Sequence, residues 1–167
     1  MKCIKKLVAL TLAAVLALAM LTACGGTPSV QDTTEKTKQI VDNINAVRTE
    51  NGLSELEINT VATDVANKIL ELKEKKALNL IPEEDYQTKW RELNAIQVDG
   101  RSQNGYVSVS STSSSEKAMG KEDWQKNYDR NEDDSICRIV RSAKAKYVGV
   151  AMKQLSNGKY LAVVVTY

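Results

Sequence analysis

The stretch KYVGVAMKQLSNGKYLAVVVTY, residues 146–167, decides the fold. Two apolar runs flank KQLSNG, and Asn157-Gly158 is the strongest short signal for a two-residue type I′ hairpin. Pairing outward from that turn places Met152 opposite Val163, Val150 opposite Val165 and Val148 opposite Tyr167. Gly149, Ala151, Ala162 and Val164 then share the other face. Both faces are apolar and one is built of small residues. Such a hairpin belongs inside a sheet covered on both sides, with a helix lying close on the small face.

The covering elements lie upstream. Ile40, Ile44 and Val47 mark one face of a helix that stops at Asn51-Gly52. NTVATDVANKILELKEKK, capped by Asn59 or Thr60, presents Val61, Ala62, Val65, Ala66, Ile69, Leu70 and Leu72. An apolar surface that wide predicts a helix packed on more than one side. IPEEDYQTKWRELNAI starts a third helix with Pro82 at its first position and shows Tyr86, Trp90 and Leu93 on one face. NGYVSVSS alternates and reads as a strand. Ser115 caps a weaker helix running to about Tyr128, and DRNEDDS is an acidic loop. The class is α+β, with helices sandwiching an antiparallel sheet.

The N-terminus has a different organisation. Lys2, Lys5 and Lys6 precede an apolar run from Leu7 to Met20. A bilayer span needs about 20 residues, so the run fits a secretory signal segment better. Leu21-Thr22-Ala23-Cys24 follows and resembles the bacterial lipobox. That resemblance implies a diacylglyceryl thioether on Cys24, cleavage before it, and anchoring in the bilayer by two acyl chains. Residues 1–23 are then the signal peptide and 24–33 the lipidated Cys and a flexible tether. Residues 34–167 are the domain, displayed on the outer face of the cell membrane.

Composition excludes much chemistry. The chain of 167 residues has no histidine, hence no His-based nucleophile activation and no His metal ligand. Setting aside the three N-terminal lysines takes 3 from 23 basic residues, against 21 acidic ones. A domain so nearly neutral has no footprint for nucleic acid. Cys137 has Arg138 and Arg141 near it but no base, and its apolar neighbours Ile136, Ile139 and Val140 mark it as structural. Asp129, Asn131 and Asp133 imitate the start of a calcium loop, yet Asp134 stands where Gly is needed and Val140 where the bidentate Glu is needed. Ser114-x-x-Lys117 matches a penicillin-interacting motif without its S-D-N and K-T-G partners. No cofactor motif is present.

NAVRTENGLSELEINTVATDVA resembles the opening signature of the CAP superfamily (SCP/PR-1-like domains) in Asn45-x-x-Arg48, Gly52-Leu53, Leu56, Asn59 and Ala66. KYVGVAMKQLSNGKYLAVVV is similar to the family's closing hairpin, and Ser115 and Trp124 sit near its late helix. The resemblance implies a three-layer α-β-α sandwich with a central antiparallel sheet and a C-terminal β-hairpin. It also implies a cleft, whose metal-binding positions fall in ALNLIPEED, at Tyr106 after Gly105, and at Asp134 or Ser135. None of these is histidine, and the first cleft glutamate is replaced. Tyr106, Asp134, Ser135 and Trp124 are therefore candidate cleft residues, with Tyr106 offering a hydroxyl to a ligand. The reading is a non-enzymatic binding module for a protein, peptide, glycan or lipid, with no metal and no catalytic residue. The alternative is a cell-wall-directed hydrolase using Ser-Lys or carboxylate chemistry.

Overall fold

A computed structural model describes residues 30–111, 119–154 and 160–167. The proposed signal peptide, Cys24, the Ser114–Lys117 motif, Ser115 and the Asn157-Gly158 turn lie outside them. Five helices and four strands follow in chain order: α1 (Val30–Glu50), β1 (Glu57–Ile58), α2 (Thr60–Ala77), α3 (Glu83–Asn94), β2 (Gly105–Ser111), α4 (Lys121–Asp129), α5 (Ser135–Arg141), β3 (Tyr147–Gln154) and β4 (Tyr160–Thr166). The class is α+β.

Local chemistry accounts for most boundaries. No Gly or Pro interrupts Val30 to Asn51, and residues 30–33, expected in the tether, are part of α1. Gly52 ends it with φ of 76°, a conformation that glycine adopts without steric cost. Asn59 caps α2, its side chain accepting from the amides of Val61 at 2.9 Å and Ala62 at 3.2 Å. Pro82 takes the cap position of α3, one residue earlier than expected. Gly120 caps α4, which is why that helix starts only at Lys121. The sequence reading missed α5: its seven residues are too few for a helical period to show against the acidic loop before it.

The sheet order is β1-β3-β4-β2. β3 pairs antiparallel with β4, and β4 with β2, while the two residues of β1 pair parallel to β3. The sheet is therefore mixed, where an antiparallel one was expected. β1 is a short edge laid down as the chain passes from α1 to α2, with the Glu57 amide donating to the Lys146 carbonyl and the Asn59 amide to that of Val148.

The hairpin register also differs from the expected one by one residue. Val150 faces Val164, Ala151 faces Val163 and Gln154 faces Tyr160, a register that a two-residue turn centred on Asn157-Gly158 does not give. A slip of one residue moves a strand's side chains to the opposite faces of its partner. Gly149 and Ala151 now share a face with Leu161, Val163, Val165 and Tyr167, above which α2 lies. Val148, Val150, Ala162 and Val164 face the other core, formed with Ile40, Val41, Ile44 and Val47 of α1, Trp124 of α4, and Ile139 and Val140 of α5.

The small residues do bring a helix close, as expected. α2 packs so tightly over β3 that a Cβ on Gly149 would come within 2.1 Å of the Ala62 carbonyl carbon. That approach buries Val65 and Ile69 fully, worth roughly 1.5–3 kcal/mol each. Gly149→Ala has no side-chain end to displace, only helix backbone. Its unfolding free energy in urea should fall by about 3 kcal/mol. An unchanged midpoint would mean that α2 does not seat on β3.

Candidate functional site

β2 carries the main candidate, Tyr106. Strand alternation sends its ring toward α2 and α3, opposite Val107 and Val109, which face the α1 side. Trp90 of α3 meets it edge-to-face at 4.9 Å between centroids. The Lys73 ammonium of α2 sits over both rings, 5.3 Å from that of Trp90 and 5.7 Å from that of Tyr106, where the ring quadrupoles attract a cation. Burial pushes the Tyr106 hydroxyl pKa up, against the pull of Lys73. Burial opposes the charge on Lys73, but the hydroxyls of Tyr106 and Tyr86 outweigh it and its pKa rises. At neutral pH the pair is therefore a neutral phenol beside an ammonium.

The backbone of Tyr106 turns the other way. β2 is an edge strand, and edges need their amides satisfied or covered. The Tyr106 amide donates to Ser135 Oγ at 2.9 Å, so the start of α5 covers that edge. Asp134 caps α5, accepting from the Cys137 amide at 2.7 Å, and pairs with Arg130 at 2.7 Å. That amide, then Arg130, hold the Asp134 carboxyl below the usual carboxylate range. The backbone of Tyr106 is thus beside Ser135 and Asp134, while its ring lies on the α2–α3 side of the sheet. Trp124 is not with them. It is 2 % exposed in the α1-side core, and its indole donates to the Met119 carbonyl at 3.1 Å.

The acidic turn is tied to arginine rather than open to a cation. Arg138 pairs with Asp133, Arg141 donates to Asn131 Oδ1, and Gln125 donates to Asp129. Among the described residues no group of three or more His, Cys, Asp or Glu is placed to hold a metal. The Cys137 thiol is buried, and burial, followed by Asp134, raises its pKa, which suppresses the reactive thiolate.

Two features escaped sequence reasoning. One is the part played by Lys73, whose contacts with rings on two other elements leave no mark at sequence spacing. The other is a groove of about 240 Å³ between α2 and α3. Leu72 and Leu93 supply its apolar lining, and Lys68, Lys75, Lys89, Glu71 and Glu92 its charges. The polar stripe of α2 and the charges of α3 were visible separately, but only the crossing of the helices makes a groove. At the entrance of β2, Gln103 Oε1, Asn104 Nδ2 and Thr166 Oγ1 are buried without a hydrogen-bond partner among the described residues.

No family model matches the sequence, and no curated protein does. Among solved structures, an outer surface protein from Borrelia burgdorferi is similar over 85% of this chain and 96% of that chain, with 13% identity and a TM-score of 0.45. No helix among the described residues is long and apolar enough to cross a membrane.

The Asp134 cap makes stability depend on pH. Its folded pKa is depressed, so its contribution is full above the unfolded carboxylate pKa of about 3.9 and is lost as pH falls through the lower folded value. Asp134→Ala should cost about 1 kcal/mol at neutral pH, and the gap to the parent should close in acid. Urea titrations at both pH values check this; a gap that persists below both pKa values would show that the carboxylate's charge is not what matters.

Proposed function

We propose that the chain is a membrane-anchored, extracytoplasmic CAP-like domain without the family's metal-binding histidines, acting as a binding module at the cell envelope. The observation that carries the reading is that the two stretches bearing the resemblance meet in space. Asn45 exchanges two hydrogen bonds with the Leu56 backbone, at 3.0 and 2.8 Å. The segment so held then feeds β1 onto Tyr147 and Val148 of the closing hairpin. Helices on both sheet faces are compatible with the three-layer sandwich. Tyr106 and Ser135, two positions the resemblance assigns to one cleft, touch through the hydrogen bond to Ser135 Oγ.

The chemistry favours recognition over turnover. The α2–α3 groove offers amines, carboxylates and an apolar lining, but no hydroxyl or thiol nucleophile. Alternating charges along two helices suit a peptide or protein segment with its own mixed charges. Tyr106, Trp90 and Lys73 add an aromatic, cationic cluster where α2 and α3 cross β2. The lipid on Cys24 would keep the domain at the bilayer, so its ligand belongs to the envelope.

Two measurements test this. Globomycin, or Cys24→Ser, should leave the precursor unprocessed or release the protein from the membrane; normal maturation and membrane retention would contradict the anchor. The domain from Val30 onward, mixed with muropeptides, should turn none over. Turnover abolished by Ser114→Ala or Lys117→Ala would establish the hydrolase instead.

A further inference from the structure

The α2–α3 turn holds its apolar side chains outward. Leu78 is 59% exposed and Leu80 69%. The turn itself is closed by hydrogen bonds: the Leu78 amide donates to Glu74, that of Asn79 to Lys76, and that of Leu80 back to Lys75 at 2.8 Å, with Asn79 at φ of 54°. This pattern of a left-handed residue and a bond spanning five residues normally folds the apolar residue after it onto the helix. Here Leu80 stays in solvent. Two leucines presented by a hydrogen-bonded turn call for a partner that takes apolar side chains.

The direction the turn faces comes from the topology. α2 runs alongside β3, with Ala62 against Gly149 at the strand's start and Glu74 paired with Lys153 near its end, at 2.7 Å. The end of α2, and the turn after it, therefore lie at the hairpin-connection end of the sheet. α1 runs the opposite way. Lys36, near its start, donates to the Tyr160 hydroxyl at 3.3 Å, at the first residue of β4. The start of α1 is thus at that same end. Val30 opens α1 six positions after Cys24, and six residues reach at most roughly 20 Å.

We propose that this end of the domain rests on the phospholipid bilayer, with Leu78 and Leu80 inserted at the interface as a second, non-covalent contact beside the anchor. The inference rests on the tethered reading for its geometry. The contact is apolar rather than charge-driven. Two ion pairs beside the turn close within the fold, Lys76 with Glu83 and Glu74 with Lys153, and the other charges near it in sequence, Lys75, Glu84 and Asp85, leave no positive excess to draw it to anionic lipid. Zwitterionic lipid should therefore suffice. The groove between α2 and α3 stays open to the side, and its ligand meets a domain of fixed orientation.

The test replaces the natural anchor, so it stands whether or not Cys24 is acylated. The core residues among the described ones fall between Ile40 and Tyr167, and a chain starting at Val30 keeps them all. It is given an N-terminal hexahistidine and captured on phosphatidylcholine vesicles carrying a nickel-chelating lipid. An environment-sensitive NBD dye is attached in separate proteins to Leu80→Cys and to Ser102→Cys, an exposed position at the opposite end of the sheet. The expected result is a blue shift at position 80 and several-fold stronger quenching by spin-labelled lipid than at 102, reduced by Leu78→Asp. Aqueous emission at both positions, or equal quenching at both, overturns the proposal. A shift at position 80 that grows with protein concentration in the absence of vesicles assigns the turn to self-association and overturns it as well. Failure of the globomycin experiment alone would remove the lipid on Cys24 and leave this measurement standing.

Discussion

A buried cation holds one end of the molecule together. Arg48, near the end of α1, is fully removed from solvent and has no carboxylate partner among the described residues. Its Nε donates to the Ser54 carbonyl at 2.9 Å, and Nη1 to those of Ile139 at 3.2 Å and Ser142 at 3.1 Å. One guanidinium thus ties α1 and the loop that follows it, leading to β1, to the end of α5 some ninety residues away. Burial lowers its pKa, yet arginine starts so high that the charge remains. The carbonyls at the end of α5 are the ones a short helix leaves unsatisfied, and a cation suits that end. With α5 pinned there, Ser135 at its other end meets Tyr106, so the clamp reaches the candidate site through one short helix.

The second constraint is steric. Gly149 lets α2 touch the backbone of β3, and Gly105 lets Thr166 and Ile139 of α5 come close, though less so, on the other side. Between them the sheet is gripped from both sides, one core facing α1, α4 and α5 and the other facing α2 and α3. α3 buries none of its residues fully. It is held through Trp90, Leu93 and the ring contacts, which leaves one side of α2 uncovered and forms the groove. An element with few buried apolar contacts is also the one expected to open most readily, so the face proposed for ligand is the less constrained of the two.

Much of this was legible in the sequence, for identifiable reasons. Asn59 and Gly52 marked helix boundaries because capping and left-handed turns demand those residue types. The two-sided apolar hairpin revealed a covered sheet, and the small residues at 149 and 151 foretold the close helix. The hairpin register was not legible, because both neighbouring registers place apolar residues on both faces. β1 was hidden by its length of two residues, and α5 by its shortness. Of the candidate site, the Tyr106 backbone lies beside Ser135 and Asp134 while its ring turns to α2 and α3, and Trp124 is buried in the other core. Lys73 gave no signal, because its role depends on how α2 and α3 lie over β2.

The clamp is most directly tested by urea unfolding of Arg48→Met beside the parent chain. Replacing both members of a buried ion pair by apolar groups often stabilises a protein, but the partners here are backbone carbonyls that no substitution removes. Methionine would leave the buried Ile139 carbonyl without this donor and release the loop at Ser54, so the account predicts a loss of about 2 kcal/mol with an unchanged slope against denaturant. A variant as stable as the parent, or more so, would contradict it.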